Sequence, residues 1–258
     1  MNRITDYSKV QPIIEAYVAC QSEASRAGYP NFIIRTTGCV LRCQFGEGGF
    51  CDTWYTSWSP GKGKFTLQTI KDLFLAHPHI NEVMITGGSP TMHPELVNEI
   101  IHIAKEMRNM FITIETEGSK FIQTDIPIDL VSLSPKFKNS RPIVGTTTPD
   151  NKPVTQANLD FHEKSRCNYQ AMKDMIAYHK DYHLKPVVDR NEPEVWEEIK
   201  HIQEELNIPN NKVWIMPAGD TRDKVIPNYA YVLDECPVRG YNYTGRAHIV
   251  AFDDKKEV

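Results

Sequence analysis

The chain has 258 residues, of which 40% are hydrophobic and 24% charged, and its formal net charge at pH 7 is −4. This composition is typical of a globular protein, and it excludes a strongly basic surface for nucleic acid or membranes. The first 20 residues lack the apolar core of a signal peptide, and no apolar run approaches the roughly 18 residues that span a bilayer. We therefore expect a soluble, cytoplasmic protein whose cysteines are free or metal-bound, with no nucleic-acid or membrane partner.

Strand-like and helix-like segments alternate along the chain after residue 30. Short runs rich in β-branched and aromatic residues predict strands at 31–36, 82–86, 111–115, 129–132, 184–188, 213–216 and 247–252. Apolar residues at helical spacing predict helices at 66–77, 94–107, 192–206 and 221–236. Asn191 is the predicted N-cap of the third of these helices, with Glu194 in the capping-box position. Pro186 weakens the strand prediction for its own segment.

This alternation predicts an α/β fold built from parallel β-α units. Too few clear units are present for a closed eight-fold barrel, so we expect a partial, open β/α barrel. In such folds the chemistry gathers at the C-terminal ends of the strands. We expect a single domain over residues 1–258, with a long irregular insertion around 134–168. That insertion is polar and aperiodic, which is typical of an active-site cover, an interface or a disordered segment.

Three cysteines, Cys39, Cys43 and Cys51, follow the first predicted strand with the spacing C-x3-C-x7-C. Three thiolates are one ligand short of a closed tetrahedral metal site. Glycine accepts backbone angles closed to other residues, so the segment before the third cysteine can fold back tightly to the same centre. The glycines of that segment are Gly46, Gly48 and Gly49.

Three interpretations of the cysteines compete. They are ordinary loop or buried cysteines, or they bind structural zinc, or they hold a [4Fe–4S] cluster that leaves one iron free of protein ligands. A zinc site needs a fourth ligand, for which the candidates are Cys20, Cys167, His93 and His248.

The stretch FIIRTTGCVLRC, followed by FCDT, resembles the cluster-binding loop of radical S-adenosylmethionine (SAM) enzymes. Their usual pattern is C-x3-C-x2-C with an aromatic residue before the last cysteine. Phe50 keeps that feature, whereas the second gap of seven residues departs from the pattern. The resemblance implies a [4Fe–4S] cluster on the three cysteines and S-adenosylmethionine on the open iron. The segment ITGGSP resembles the element that approaches the methionine moiety, and ETEG resembles the acidic element near the ribose.

Most of the chain resembles the 7-carboxy-7-deazaguanine synthase family more narrowly. The matching stretches, in the same order and spacing, are 21–23, 32–39, 51–53, TGGSP, ETEG, 134–136, 216–222 and 239–250. The resemblance implies a radical ring contraction of 6-carboxy-5,6,7,8-tetrahydropterin to 7-carboxy-7-deazaguanine, with loss of ammonia and reuse of S-adenosylmethionine. It also implies Mg²⁺, an external flavodoxin-like electron donor and a homodimer.

The same resemblance assigns roles to individual residues. Arg35 matches the residue that binds the substrate carboxylate, and Thr53 the residue whose hydroxyl contacts Mg²⁺. The other substrate-binding matches are Cys20, Gln21, Ser22, Glu23, Thr86 and His248. The cofactor-binding matches are Phe50, Asp52, Gly87, Gly88, Glu115, Ser134, Pro135 and Lys136. Two positions depart from the family, with Ser22 in place of a glycine and Met216 in place of a frequent glutamine.

Two other functions stay open on the sequence. Another radical SAM enzyme, such as a glycyl-radical activase, would share the cysteines and GGSP but would not need Arg35, Thr53 or His248 to bind a pterin. A zinc-stabilised binding protein would purify colourless with zinc and would cleave no cofactor.

Overall fold

The structure, a computed structural model, describes residues 3–45 and 49–257. Its main sheet has six strands that neighbour one another in chain order. They are β1 (Ile13–Cys20), β2 (Pro30–Thr36), β3 (Glu82–Gly87), β4 (Phe111–Thr116), β5 (Leu130–Leu133) and β6 (Tyr182–Leu184). β1 runs antiparallel to β2, and every other neighbouring pair is parallel.

A second, parallel sheet continues the series with β7 (Val187–Val188), β8 (Trp214–Pro217) and β9 (Asn242–Tyr243). A single parallel bridge between Leu184 and Val213 joins the two sheets. Among the described residues, β1 and β9 do not pair with each other. The predicted α/β fold with an open β/α barrel is therefore confirmed.

The helices are α1 (Trp54–Ser57), α2 (Leu67–Ala76), α3 (Pro94–Arg108), α4 (Gln156–Ser165), α5 (Tyr169–Tyr178), α6 (Val195–Leu206), α7 (Arg222–Arg239) and α8 (Ala247–Phe252). The four predicted helices correspond to α2, α3, α6 and α7. The predicted cap Asn191 is wrong, because its backbone and side-chain nitrogens both donate to Asp189 and α6 begins after Glu194. In the described part of the chain, no helix combines the length and apolarity that crossing a membrane requires.

Side chains alternate across the main sheet and separate the core from the site. On β2, Phe32 and Ile34 are fully buried in the core, whereas Ile33 and Arg35 face a large cavity. Helices α2 and α3 cover the core face with Leu67, Ile70, Phe74, Leu96 and Ile100. Each buried side chain of this kind contributes about 1.5–3 kcal/mol through the hydrophobic effect.

The strand predictions need correction. β1 and β9 were not expected. The predicted strand at 184–188 is two strands, β6 and β7, in different sheets. Pro186 between them cannot donate a ladder hydrogen bond. The predicted strand at 247–252 is the helix α8, of which Ile249 alone is buried. Arg222 donates to the carbonyls of Val250 and Ala251, which satisfies acceptors that the helix end leaves open.

The segment 134–168 is only partly irregular, contrary to the prediction. It contains α4, which begins with a capping box between Thr155 and Asn158. It also contains an antiparallel bridge between Thr147 and Pro153. Among the residues of α4, His162 alone is buried, so the helix has no apolar stripe from which to predict it.

A buried histidine predicts a pH dependence of stability. His183 of β6 lies between the hydroxyls of Ser25 (3.0 Å) and Ser132 (2.7 Å), and burial lowers its pKa from 6.5 to about 4. Between these two values the unfolded chain binds a proton that the folded chain does not. Stability should therefore be complete above pH 6.5 and should fall as the pH is lowered towards 4, by about 3 kcal/mol.

This dependence is measured by urea unfolding at about pH 7 and about pH 5. The His183→Gln variant, which keeps a hydrogen-bonding side chain without the titration, should lose clearly less stability between the two pH values than the natural chain. Equal losses in the two proteins would contradict the prediction.

Candidate active site

A cavity of about 860 Å³ lies at the C-terminal ends of the parallel strands, within the ~300–1,000 Å³ range of small-molecule sites. The predicted site residues that line it are Cys20, Gln21, Ser22, Glu23, Arg35, Cys39, Cys43, Phe50, Cys51, Asp52, Thr53, Thr86, Gly87, Gly88, Glu115, Ser134, Lys136 and His248. Pro135 is the predicted site residue that is missing from this lining. Met216 also lines the cavity.

The described residues at the two ends of the long cysteine gap, 43–45 and 49–51, pair with each other and are called the cysteine hairpin below. Gln44 and Phe50 form an antiparallel bridge, and the Phe45 amide donates to the Gly49 carbonyl at 2.6 Å. A Cβ added at Gly49 would overlap the backbone of Phe45, so glycine is required there. This pairing places Cys51 beside Cys43. The Cys51 amide lies 3.4 Å from the Cys43 carbonyl. Gly46 and Gly48 lie outside the described residues.

The donor set at the cavity consists of three thiols. Cys39, Cys43 and Cys51 all line it. Burial raises the pKa of all three thiols, so iron binding, which needs the thiolates, would release their protons. Three soft sulfur ligands around one cavity are the donor set of an iron–sulfur cluster.

Gly87 and Gly88 serve close packing between two strand ends. Gly87 has φ +144°, and a Cβ added there would overlap the backbone of Thr36. A Cβ at Gly88 would overlap the Gly38 carbonyl and approach the Cys39 Cβ to 3.0 Å. The pair therefore holds the end of β3 against the backbone that leads into the cysteine hairpin, in addition to the predicted cofactor contact.

Substituting Gly88 by alanine should displace the Cys39 backbone. We expect Gly88→Ala to lower the iron bound after reconstitution and to destabilise the chain by roughly 1–3 kcal/mol. Gly61→Ala is the matched control, because neither Gly61 nor Gly88 has a positive φ, but no atom lies within 4 Å of a Cβ added at Gly61. Iron content and urea unfolding measure both effects, and normal iron binding by Gly88→Ala would disprove the packing role.

The segment after Pro135 supports the cysteine hairpin. The Arg42 amide donates to His162 Nδ1 at 3.2 Å, and Ser140 lies 3.2 Å from Nε2 of the same ring. The Gln44 amide donates to the Ser140 carbonyl at 3.0 Å, and the Ile143 amide to the Gln44 side chain at 2.8 Å. Burial lowers the pKa of His162 to about 4, so the neutral ring can accept a hydrogen bond. No sequence pattern predicted these contacts.

Buried ion pairs connect the tail to the cysteine hairpin. Arg246 contacts Asp52 at 2.7 Å and Glu23 at 3.2 Å. Burial would raise the pKa of both carboxyls, but the neighbouring cations keep the pKa of Asp52 well below its usual range and that of Glu23 at about 2. The ring of His248 lies 2.5 Å from the Ser22 hydroxyl. Arg246 lies two residues before His248 in the sequence. His248 was predicted as a site residue, whereas no role was predicted for the charge of Arg246.

Several predicted contact residues already have protein partners. Arg35 Nε donates to Glu15 at 2.6 Å, and the Tyr55 hydroxyl donates to the other oxygen of Glu15 at 2.6 Å. The Thr86 hydroxyl donates to Glu115 at 3.3 Å. The hydroxyl of the predicted residue Thr53 lies 3.3 Å from Cys51 Sγ. The ammonium of the predicted residue Lys136 donates to the Ser134 hydroxyl at 2.9 Å.

A carboxylate that was not predicted also lines the cavity. Glu117, two residues after the predicted Glu115, is buried and accepts from the Ser89 hydroxyl at 2.7 Å. Burial raises its pKa. Its place within ETEG was the one signal that could have identified it.

Comparison with known proteins identifies the class. A family model described as the radical SAM superfamily matches residues 33–191, more than half of the chain. The chain belongs to the radical SAM superfamily, whose members carry a [4Fe–4S] cluster and S-adenosylmethionine. The solved structure of QueE from Escherichia coli resembles the fold with a TM-score of 0.56, at 16% identity, over 91% of this chain and 92% of that one.

The sequence relatives narrow the class further. The 7-carboxy-7-deazaguanine synthase of Halobacterium salinarum is 31% identical over 252 residues, which cover 95% of this chain and 92% of that protein. The protein of the same name from Rhodopirellula baltica is 31% identical over 95% of this chain and 87% of its own length. Within the superfamily, the chain belongs to the 7-carboxy-7-deazaguanine synthase family, as the sequence predicted.

Proposed function

We propose that this chain is a radical SAM carbon–nitrogen lyase that converts 6-carboxy-5,6,7,8-tetrahydropterin to 7-carboxy-7-deazaguanine with loss of ammonia. The observation that carries the proposal is the 31% identity to the Halobacterium synthase over 95% of this chain. The single cavity lined by the three cysteines and the predicted pterin contacts supports it.

In this proposal Cys39, Cys43 and Cys51 would hold the cluster, and the cavity beside them would hold S-adenosylmethionine. When bound, the two groups supply a radical that abstracts hydrogen from C6 of the pterin. Gly87, Gly88 and the segment 134–136 would form the cofactor side of the cavity. Glu117, buried beside the cysteines, adds a fixed acceptor on the same side.

The pterin would occupy the side of the cavity formed by the end of β1 and the tail. Arg35 keeps its charge at any physiological pH, and its guanidinium suits a carboxylate. Because its Nε already donates to Glu15, we propose that the Nη nitrogens bind the substrate carboxylate. Ionised Glu23 would accept N–H donors of the pterin, next to the pair formed by Ser22 and His248.

The family resemblance supports the finer parts of the proposal. We infer that the Thr53 hydroxyl contributes one oxygen ligand to Mg²⁺, with substrate oxygens and water completing the shell. We also infer a homodimer, an external flavodoxin-like electron donor and a cytoplasmic location.

The proposal is tested by anaerobic iron–sulfide reconstitution followed by reaction with S-adenosylmethionine, Mg²⁺, a reductant and 6-carboxytetrahydropterin. Mass spectrometry should detect 7-carboxy-7-deazaguanine and released ammonia, and tetrahydropterin without the carboxylate should react poorly. A brown protein that cleaves the cofactor and leaves the pterin intact would indicate another radical SAM enzyme. A colourless zinc protein would exclude the whole proposal.

A further inference from the structure

A buried lysine that the sequence did not indicate lies in the wall of the cavity. Lys185 occupies the junction between β6 and β7, and its side chain is only 2% exposed. Its amide donates to the Leu133 carbonyl at 2.6 Å, which fixes the backbone at the end of β5. A buried ammonium is costly unless it is paired, so the partners of Lys185 reveal what it stabilises.

The ammonium of Lys185 forms ion pairs with two carboxylates, Glu23 and Glu115. These two residues belong to different predicted binding contacts, one for the pterin and one for the cofactor. Glu23 follows β1 and contacts Arg246 at 3.2 Å, on the side of the predicted pterin contacts. Glu115 belongs to β4 and accepts from Thr86 at 3.3 Å, and it is the residue predicted to lie near the cofactor ribose.

The charge of Lys185 decides what these carboxylates can do. An ionised carboxylate only accepts hydrogen bonds, whereas a protonated one also donates. Without Lys185, Glu23 and Glu115, whose side chains are only 11% and 22% exposed, would lose their shared cation, and like charges in one site favour protonation of one of them. Both the position and the hydrogen-bonding character of the two acceptors would then change.

We propose that Lys185 is a positioning residue that couples the pterin site to the cofactor site by holding Glu23 and Glu115 together as fixed acceptors. The inference rests on the proposed function, because it takes these two carboxylates as ligand contacts. It predicts that one side chain, which contacts neither ligand itself, affects the binding of both.

The test uses reconstituted holoenzyme carrying Lys185→Met, which removes the charge and keeps an unbranched chain. The KM values for the pterin and for S-adenosylmethionine should both rise by about 10-fold or more, with iron content unchanged. Glu23→Gln should raise mainly the pterin KM, and Glu115→Gln mainly the cofactor KM. Lys105→Met is the matched control, because Lys105 forms a largely buried pair with Asp129 at 2.6 Å outside the cavity lining.

The inference is wrong if Lys185→Met changes neither KM by more than about 2-fold, or changes only one of them.

If Lys185→Met does not fold, a double variant replaces it. Lys185→Met/Glu115→Gln removes one charge of each sign and is compared with Glu115→Gln alone. We expect a further rise in the pterin KM of about 10-fold, and an equal KM would overturn the inference. If the natural enzyme turns over the pterin and the Lys185 variants have the same KM values as their references, only the role of Lys185 is refuted. If the natural enzyme does not turn over the pterin at all, the proposed function is refuted, and the role of Lys185 with it.

Discussion

Replacing any one of Cys39, Cys43 and Cys51 by alanine should reduce S-adenosylmethionine cleavage by at least about 1,000-fold, because two thiolates do not hold a [4Fe–4S] cluster in place. The three thiols line one cavity, and the pairing of Gln44 with Phe50 places Cys51 beside Cys43. Iron and sulfide analysis after anaerobic reconstitution, together with the absorbance of the brown cluster, measures the loss directly.

Cys236→Ala is the control for this prediction. Cys236 is also buried, but its sulfur lies 3.6 Å from the Asn242 carbonyl and is not part of the cavity wall. This variant should retain its iron, with only a modest loss of stability. Full iron loading of any of the three cavity variants would contradict the assignment of that cysteine as a ligand.

Arg246→Met should combine a large loss of stability with a loss of activity. Arg246 is a buried cation paired with Asp52 beside the cysteine hairpin and with Glu23 on the pterin side. Removing one partner of a buried ion pair typically costs about 3–5 kcal/mol. We expect a loss towards the lower end of that range, because Glu23 keeps its pair with Lys185 and the Asp52 side chain is 38% exposed. Urea unfolding measures the loss of stability. The rate of pterin turnover measures the loss of activity that we expect from a displaced Glu23.

The matched control is Arg141→Met. Arg141 is exposed and pairs with Glu163 at 2.6 Å, and a surface pair of this kind contributes about 0–1 kcal/mol. If Arg246→Met loses no more stability than the control, the ion pairs of Arg246 with Asp52 and Glu23 do not stabilise the fold. Restored stability in Arg246→Met at low pH, where the carboxylates are protonated, would support the electrostatic explanation.

The sequence predicted the parts of this fold that local patterns determine. The helices α2, α3 and α6 carry apolar stripes at helical spacing, and β2, β3 and β4 are short runs of β-branched and aromatic residues. The cysteines directly follow the predicted strand at 31–36, which led the sequence to place the candidate site at a strand end, and the cavity that they line lies there. The elements that were missed are those in which tertiary contacts outweigh the local pattern.

Two examples show the physical reason. The segment AHIVAF contains β-branched residues that favour a strand, but it forms α8 because Arg222 satisfies its C-terminal carbonyls. Lys185 lies in a predicted strand, and only the folded chain brings it to Glu23 and Glu115, which are 162 and 70 residues away in sequence. Ion pairs of such long sequence separation leave no periodic signal.

The open coordination position at the cluster is tested most directly by electron paramagnetic resonance of the reduced, reconstituted protein. We expect a [4Fe–4S] signal that changes when S-adenosylmethionine is added, because the cofactor would bind the iron that no cysteine holds. A signal that is unaffected by the cofactor, or a protein that binds about one zinc and no cluster, would contradict the assignment of this cavity as a radical SAM site.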